Sequence, residues 1–122
     1  MKRIVFFGTP HFAAELFRFL YRHKVPLLGV VTQPDRPKGR SRQIAFSAVK
    51  EALLELAPHI PLLQPIKASE ERSIEQLKAL QADLFVVVAY GQILSQKLLS
   101  TPPLGCINVH ASLLPKYRGA AP

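Results

Sequence analysis

The sequence has no tryptophan, one cysteine and one methionine, and its 8 acidic residues face 16 lysines and arginines. Each scarcity narrows the possibilities. The single cysteine, Cys106, excludes an internal disulfide, which fits a reducing compartment and a cytoplasmic protein. No apolar run approaches the roughly 20 residues of a membrane span, so no membrane partner is expected. The opening "MKRIVFFGTP" has only "IVFF" as an apolar stretch before a Gly-Thr-Pro turn, and reads as a first strand rather than a signal peptide. His11, His23, His59 and His110 are scattered, no Cys/His spacing resembles a zinc site, and no metal is expected. Repeats, linkers and low-complexity tracts are lacking. The charge imbalance leaves a formal net charge of +8, which favours polyanionic partners.

A chain of 122 residues with 48% hydrophobic and 20% charged residues is a globular, single-domain length rather than a disordered one. Short β-rich apolar runs recur at "RIVFFG", "LLGVVTQ", "IPLLQP", "ADLFVVVAY" and "GCINVH"; the fourth, the most apolar, is expected to be central. Between them lie helical patterns. "TPHFAAELFRFLYRHK" has Thr9 as a candidate cap, Pro10 in the first turn, and Phe12, Leu16, Phe19 and Leu20 at helical spacing. "FSAVKEALLEL" follows a possible Ser47 cap, "SEERSIEQLKAL" a possible Ser69 cap, and "GQILSQKLLSTPP" reads as a turn and short helix. Alternation at this spacing predicts βαβ units: an α/β fold with a doubly wound, mostly parallel sheet.

The first strand–turn–helix carries Gly8 alone where a dinucleotide fingerprint needs G-x-G-x-x-G, and no P-loop pattern exists, which argues against a dinucleotide enzyme. Attention moves to the fifth strand. Asn108 and His110 project to one side, because strand side chains alternate, and both lie at a carboxyl end where α/β folds build sites. Asn supplies fixed N–H donors for a developing oxyanion, and His handles a proton near neutral pH; acyl transfer to an amine asks for that pair. No elbow presents Ser112 as a nucleophile, and Cys106 reads as a packed thiol, so direct transfer between two substrates is simpler than a covalent intermediate. A strand end whose polar residues merely cap neighbouring backbone is the alternative.

At "NVHASLLPKYRGAAP" the chain resembles the folate-dependent formyltransferases, which share N-x-H followed by an S-L-L-P turn, and within them those that act on methionyl-tRNA. "FFGTPHFAAELF", "VVTQPDRPKGR" and "LFVVVAYGQIL" point the same way; together the segments cover about half the chain. The segment "QIAFSAVK" departs from the family by lacking its usual prolines before V-K. The resemblance implies a Rossmann-like formyltransferase N-terminal fold. It also implies transfer of a formyl group from 10-formyltetrahydrofolate, as co-substrate, to the α-amine of methionyl initiator tRNA, in translation initiation. Asn108 would hold the formyl oxygen and His110 would assist charge and proton movement. Gly91, Gln92, Ile93 and Leu94 match the pterin-binding segment, and Ser112, Leu113, Leu114 and Pro115 the turn that contacts folate. Arg36, Lys38, Arg40 and Arg42, at alternate positions with only Asp35 opposing, match the loop set against the tRNA acceptor stem, where they would neutralise phosphate. A solvated basic loop is the alternative for that run.

The resemblance also implies that residues 1–122 are the N-terminal part of a catalytic domain. Its remaining strands, a third catalytic residue (an aspartate) and a C-terminal β-barrel domain would lie outside this sequence. On that reading the full-length enzyme is monomeric, while the 122-residue piece alone is inactive and, with a sheet edge unpaired, prone to self-association. Two rival functions share features with it: another folate-dependent formyltransferase, acting on glycinamide ribonucleotide or an amino sugar, and a non-catalytic RNA-binding module using basic charge. The second lacks an aromatic stacking platform.

Overall fold

The computed structural model describes residues 1–38 and 43–110, the side chain of Lys38 excepted. In chain order the elements are β1 (Ile4–Gly8), α1 (His11–Arg22), β2 (Leu27–Val31), β3 (Arg36–Lys38), β4 (Gln43–Ala45), α2 (Ala48–Leu56), β5 (Leu62–Leu63), α3 (Glu71–Ala79), β6 (Leu84–Val88), α4 (Gln96–Leu99) and β7 (Cys106–Val109). Five strands form one sheet in the order β5-β2-β1-β6-β7, and every pairing in it is parallel.

The strands are apolar on both sides because helices cover both faces of the sheet. Alternation along β1 sends Ile4 and Phe6 into one layer and Val5 and Phe7 into the other. The first layer takes Ala13, Ala14 and Phe17 of α1 and Val49, Ala52 and Leu53 of α2; the second takes Ile74 and Leu77 of α3 and Leu98 of α4. β6 lies inside the sheet as its apolar character predicts, but β1 occupies the middle. The chain grows outward from β1 in one direction through β2 and β5, then returns to β1's other edge with β6 and β7. That reversal opens a crevice between the carboxyl ends of β1 and β6, the place where open α/β sheets receive ligands.

Several local expectations need correction. In α1 the fully buried aromatic is Phe17, whereas Phe19 is 53% exposed and rests on the His23 ring, centroids 4.0 Å apart. Two residues of helix rotate a side chain by about 200°, so 17 and 19 cannot both face the sheet. Pro10, not Thr9, is the N-cap, and no side chain caps this helix. Glu70, not Ser69, occupies the N-cap of α3; the Ser69 hydroxyl instead accepts from the Ser95 amide at 2.9 Å. Ser47 caps α2 as expected, accepting from the Lys50 amide at 3.0 Å. The segment after β2, read as loop, contains an antiparallel pair in which Arg36, Pro37 and Lys38 face Ala45, Ile44 and Gln43. Ile44 is 59% exposed, so this pair lacks the half-buried alternation that marks a strand in a sequence.

Phe17 sits at the centre of the first layer, its ring 5.9 Å from that of Phe6. Phe17→Ala is expected to lower unfolding free energy by about 3–5 kcal/mol in a urea melt. A loss below about 1 kcal/mol would contradict this packing.

Candidate active site at the carboxyl ends of the strands

Two side chains fasten the crevice. The Thr9 hydroxyl, just past β1, donates to the Tyr90 carbonyl at 2.7 Å, and Gln33, just past β2, donates through Nε2 to the Gly91 carbonyl at 3.0 Å. Between them the chain leaving β6 turns sharply, with Ala89 at φ 51 and Gly91 at φ 101. Positive φ at a non-glycine residue costs about 1–2 kcal/mol and persists where surrounding contacts impose it. At Gly91 a Cβ would meet Gln33 Nε2 at 2.7 Å, so this position needs glycine for its backbone angle and for the Gln33 contact.

Parallel register sets Asn108 opposite Val87 and Cys106 opposite Phe85, on the α3 side of the sheet; Val109 packs into the other layer. Asn108, the exposed His110 just beyond β7, Tyr90 and Gln92 line a cleft of about 220 Å³ together with Val87, Ala89 and Val109. Asn108 and His110 therefore line one cleft, at the carboxyl ends of β6 and β7. Both side chains are exposed and, among the described residues, neither has a hydrogen-bond partner, which leaves an amide N–H pair and an imidazole available to a ligand. Burial pushes the Tyr90 phenol up to about 12, keeping it neutral, and its hydroxyl has no partner among the described residues. Burial also raises the Cys106 thiol, which fits packing rather than nucleophilic attack. The described residues contain no group of three His, Cys, Asp or Glu able to hold a metal ion.

The other expected site residues are spread more widely. Gly91 is exposed, Ile93 is 97% exposed, and Leu94 packs against the second layer. Arg36 is exposed on β3, and Lys38 ends that strand. Arg40, Arg42, Ser112, Leu113, Leu114 and Pro115 lie outside the described residues.

A polar chain next to the cleft was not anticipated. Gln92 Nε2 donates to Gln33 Oε1 at 2.9 Å and to the carbonyls of Pro65 and Ile66 at 3.2 and 3.1 Å, while its Oε1 accepts from the Ala68 amide at 2.8 Å. Gln64 Nε2 donates to the Gln33 carbonyl at 3.3 Å and to Asp35 Oδ1 at 2.8 Å, and Lys50 Nζ donates to both Asp35 oxygens and to Gln64 Oε1. The Lys50 ammonium also lies 3.9 Å from the centroid of the Phe46 ring. The available signal was a Gln-Pro pair at each of two strand ends, Gln33-Pro34 and Gln64-Pro65.

The family profile described as Formyl transferase matches residues 1–122. The chain belongs to the formyl transferase family. It is 52% identical over 120 residues to the methionyl-tRNA formyltransferase of Clostridioides difficile, covering 98% of this chain and 38% of that protein. Identity is 55% over 120 residues with the methionyl-tRNA formyltransferase of Chlamydia caviae, covering 98% of this chain and 37% of that protein. With that of Lysinibacillus sphaericus it is 50% over 122 residues, 100% of this chain and 38% of the relative. The chain thus spans well under half the length of these relatives. Among solved structures, the phosphoribosylglycinamide formyltransferase of Bacillus halodurans superposes with a TM-score of 0.64 at 20% identity, covering 98% of this chain and 61% of that one. This likeness supports the fold of the formyl transferase domain.

Gln64 and Lys50 hold the Asp35 carboxyl below the usual carboxylate range. A depressed folded value contributes stability above the unfolded value, about 3.9, and loses it as pH falls through the folded value. Asp35→Asn is expected to lower the urea midpoint at pH 7, with the gap to wild type closing as pH drops below about 4. An unchanged gap between pH 7 and pH 3 would contradict the assignment.

Proposed function

We propose that the protein transfers a formyl group from 10-formyltetrahydrofolate to the α-amine of methionyl initiator tRNA. The observation that carries this reading is the meeting of Asn108 and His110 in one cleft at the carboxyl ends of β6 and β7. The setting is a chain 50 to 55% identical, over nearly its whole length, to proteins named for that reaction.

In the proposed chemistry the methionyl amine attacks the formyl carbon, and a tetrahedral centre forms with negative charge on the former carbonyl oxygen. The Asn108 amide donates to that oxygen; being uncharged and fixed on a strand, it needs little reorganisation as the charge develops. His110 accepts the proton leaving the amine and returns one to N10 as the bond from N10 to the formyl carbon breaks. Tetrahydrofolate leaves with that proton, and the new amide retains the formyl group. Gly91, Gln92, Ile93 and Leu94, with Ser112 to Pro115, form the folate side of the site. Arg36, Lys38, Arg40 and Arg42 serve the tRNA side through phosphate neutralisation, which makes binding fall steeply with added salt.

In the full-length protein, Asn108→Ala and His110→Ala are each expected to lower kcat for formylation of methionyl-tRNA by about 10²–10³-fold, with tRNA and folate binding changed less than about threefold. Steady-state and binding measurements on the same preparations check this. Loss of less than tenfold in kcat for both variants would refute the assignment.

A further inference from the structure

The polar chain described above joins two segments that the proposed function assigns to different ligands. At one end Gln92, which follows Gly91, borders the cleft; at the other Asp35 immediately precedes β3 and its Arg36. Gln33 stands between them and is bonded both ways. Its side chain donates to the Gly91 carbonyl and accepts from Gln92, while its own carbonyl accepts from Gln64. Gln64 continues to Asp35, which Lys50 clamps through both carboxylate oxygens, at 3.1 and 2.9 Å.

The Gln92 amide is fully engaged. Its two N–H donors are shared among three acceptors, and its oxygen is taken by the Ala68 backbone. A side chain so occupied has no free N–H donor left for a ligand. Its effect is instead to fix the backbone of the turn, whose positive φ angles at Ala89 and Gly91 need outside support. The Gln33 side chain is likewise spent on Gly91 and Gln92, and that of Gln64 on the Gln33 carbonyl, Asp35 and Lys50.

We propose that Gln33, Gln64 and Gln92 are positioning residues that hold the 91–94 segment and the root of the β3–β4 hairpin as one unit. Folate site and tRNA site are then set relative to each other before either ligand arrives. The inference rests on the functional reading above. Each of the three glutamines acts through backbone or through Asp35.

The signature is a crossed effect. In the full-length protein, Gln64→Ala, made on the hairpin side, is expected to raise KM for 10-formyltetrahydrofolate at least fivefold. Gln33→Ala, made on the cleft side, is expected to weaken methionyl-tRNA binding at least fivefold, with kcat at saturation falling less than threefold in both. A ligand-contact role would confine each effect to the near ligand, and a merely structural role would lower the melting temperature without moving either constant. Either outcome overturns the proposal. Should Gln64→Ala fail to fold, Gln33→Ala, which cuts the same junction at an exposed hydrogen bond, must show both effects by itself. Wild-type protein that binds neither ligand would sink the functional reading itself; active wild type with no crossed effect sinks only this inference.

Discussion

The parallel pairing of β1 with β6 is the constraint on which the molecule depends. Ile4 to Gly8 lie in unbroken register with Leu84 to Val88, joining segments about eighty residues apart. Every other feature of the site follows from that register. It sets Thr9 beside Tyr90, fixes where the chain leaves β6, and supplies the strand on which β7 is laid. Because both faces of β1 and β6 are buried, a one-residue slip would exchange the two apolar layers, so burial itself holds the register. The loop closed by such a distant contact costs entropy that the apolar layers must offset.

The crevice made by this pairing has a division of labour. Its floor is apolar and neutral: Val87 and a Tyr90 phenol held uncharged by burial. The groups proposed to react lie on one side, where β7 carries Asn108 and the chain continues to His110. On the other side glutamine side chains satisfy the Gly91 carbonyl of the turn after β6 and backbone groups of Pro65, Ile66 and Ala68 in the segment after β5. Uncharged amides suit that role, since each both donates and accepts and none brings a charge that would have to be desolvated beside the apolar layers.

Much of this was legible in the residues. Five apolar runs separated by helical patterns gave the parallel sheet, because a strand covered on both faces must be apolar throughout. The Asn108–Val109–His110 spacing suggested two polar groups on one side of a strand; the strand ends at Val109, and all three residues line the cleft. Sheet order was less accessible: β6 is as apolar as β1, and only the crossover connections put β1 in the middle. Ser69 matches the capping pattern, yet its hydroxyl meets a backbone amide 26 residues away, a tertiary contact that local pattern cannot reveal. Phe19 and Phe17 are equally apolar, and the facing one is decided by helix phase. The glutamine chain was hidden for the same reason, since Gln33, Gln64 and Gln92 are neighbours only after β2, β5 and β6 have assembled.

The central claim is that Asn108 and His110 flank the carbon being transferred. A crystal structure of the full-length protein with a non-reactive analogue of 10-formyltetrahydrofolate tests it most directly. The account predicts the pterin beside residues 91–94, the formyl oxygen within about 3.2 Å of Asn108 Nδ2, and the His110 ring on the face from which an amine would approach. A ligand bound at the opposite, amino-terminal end of the sheet, or seated in the cleft with its formyl group directed away from Asn108, would contradict it.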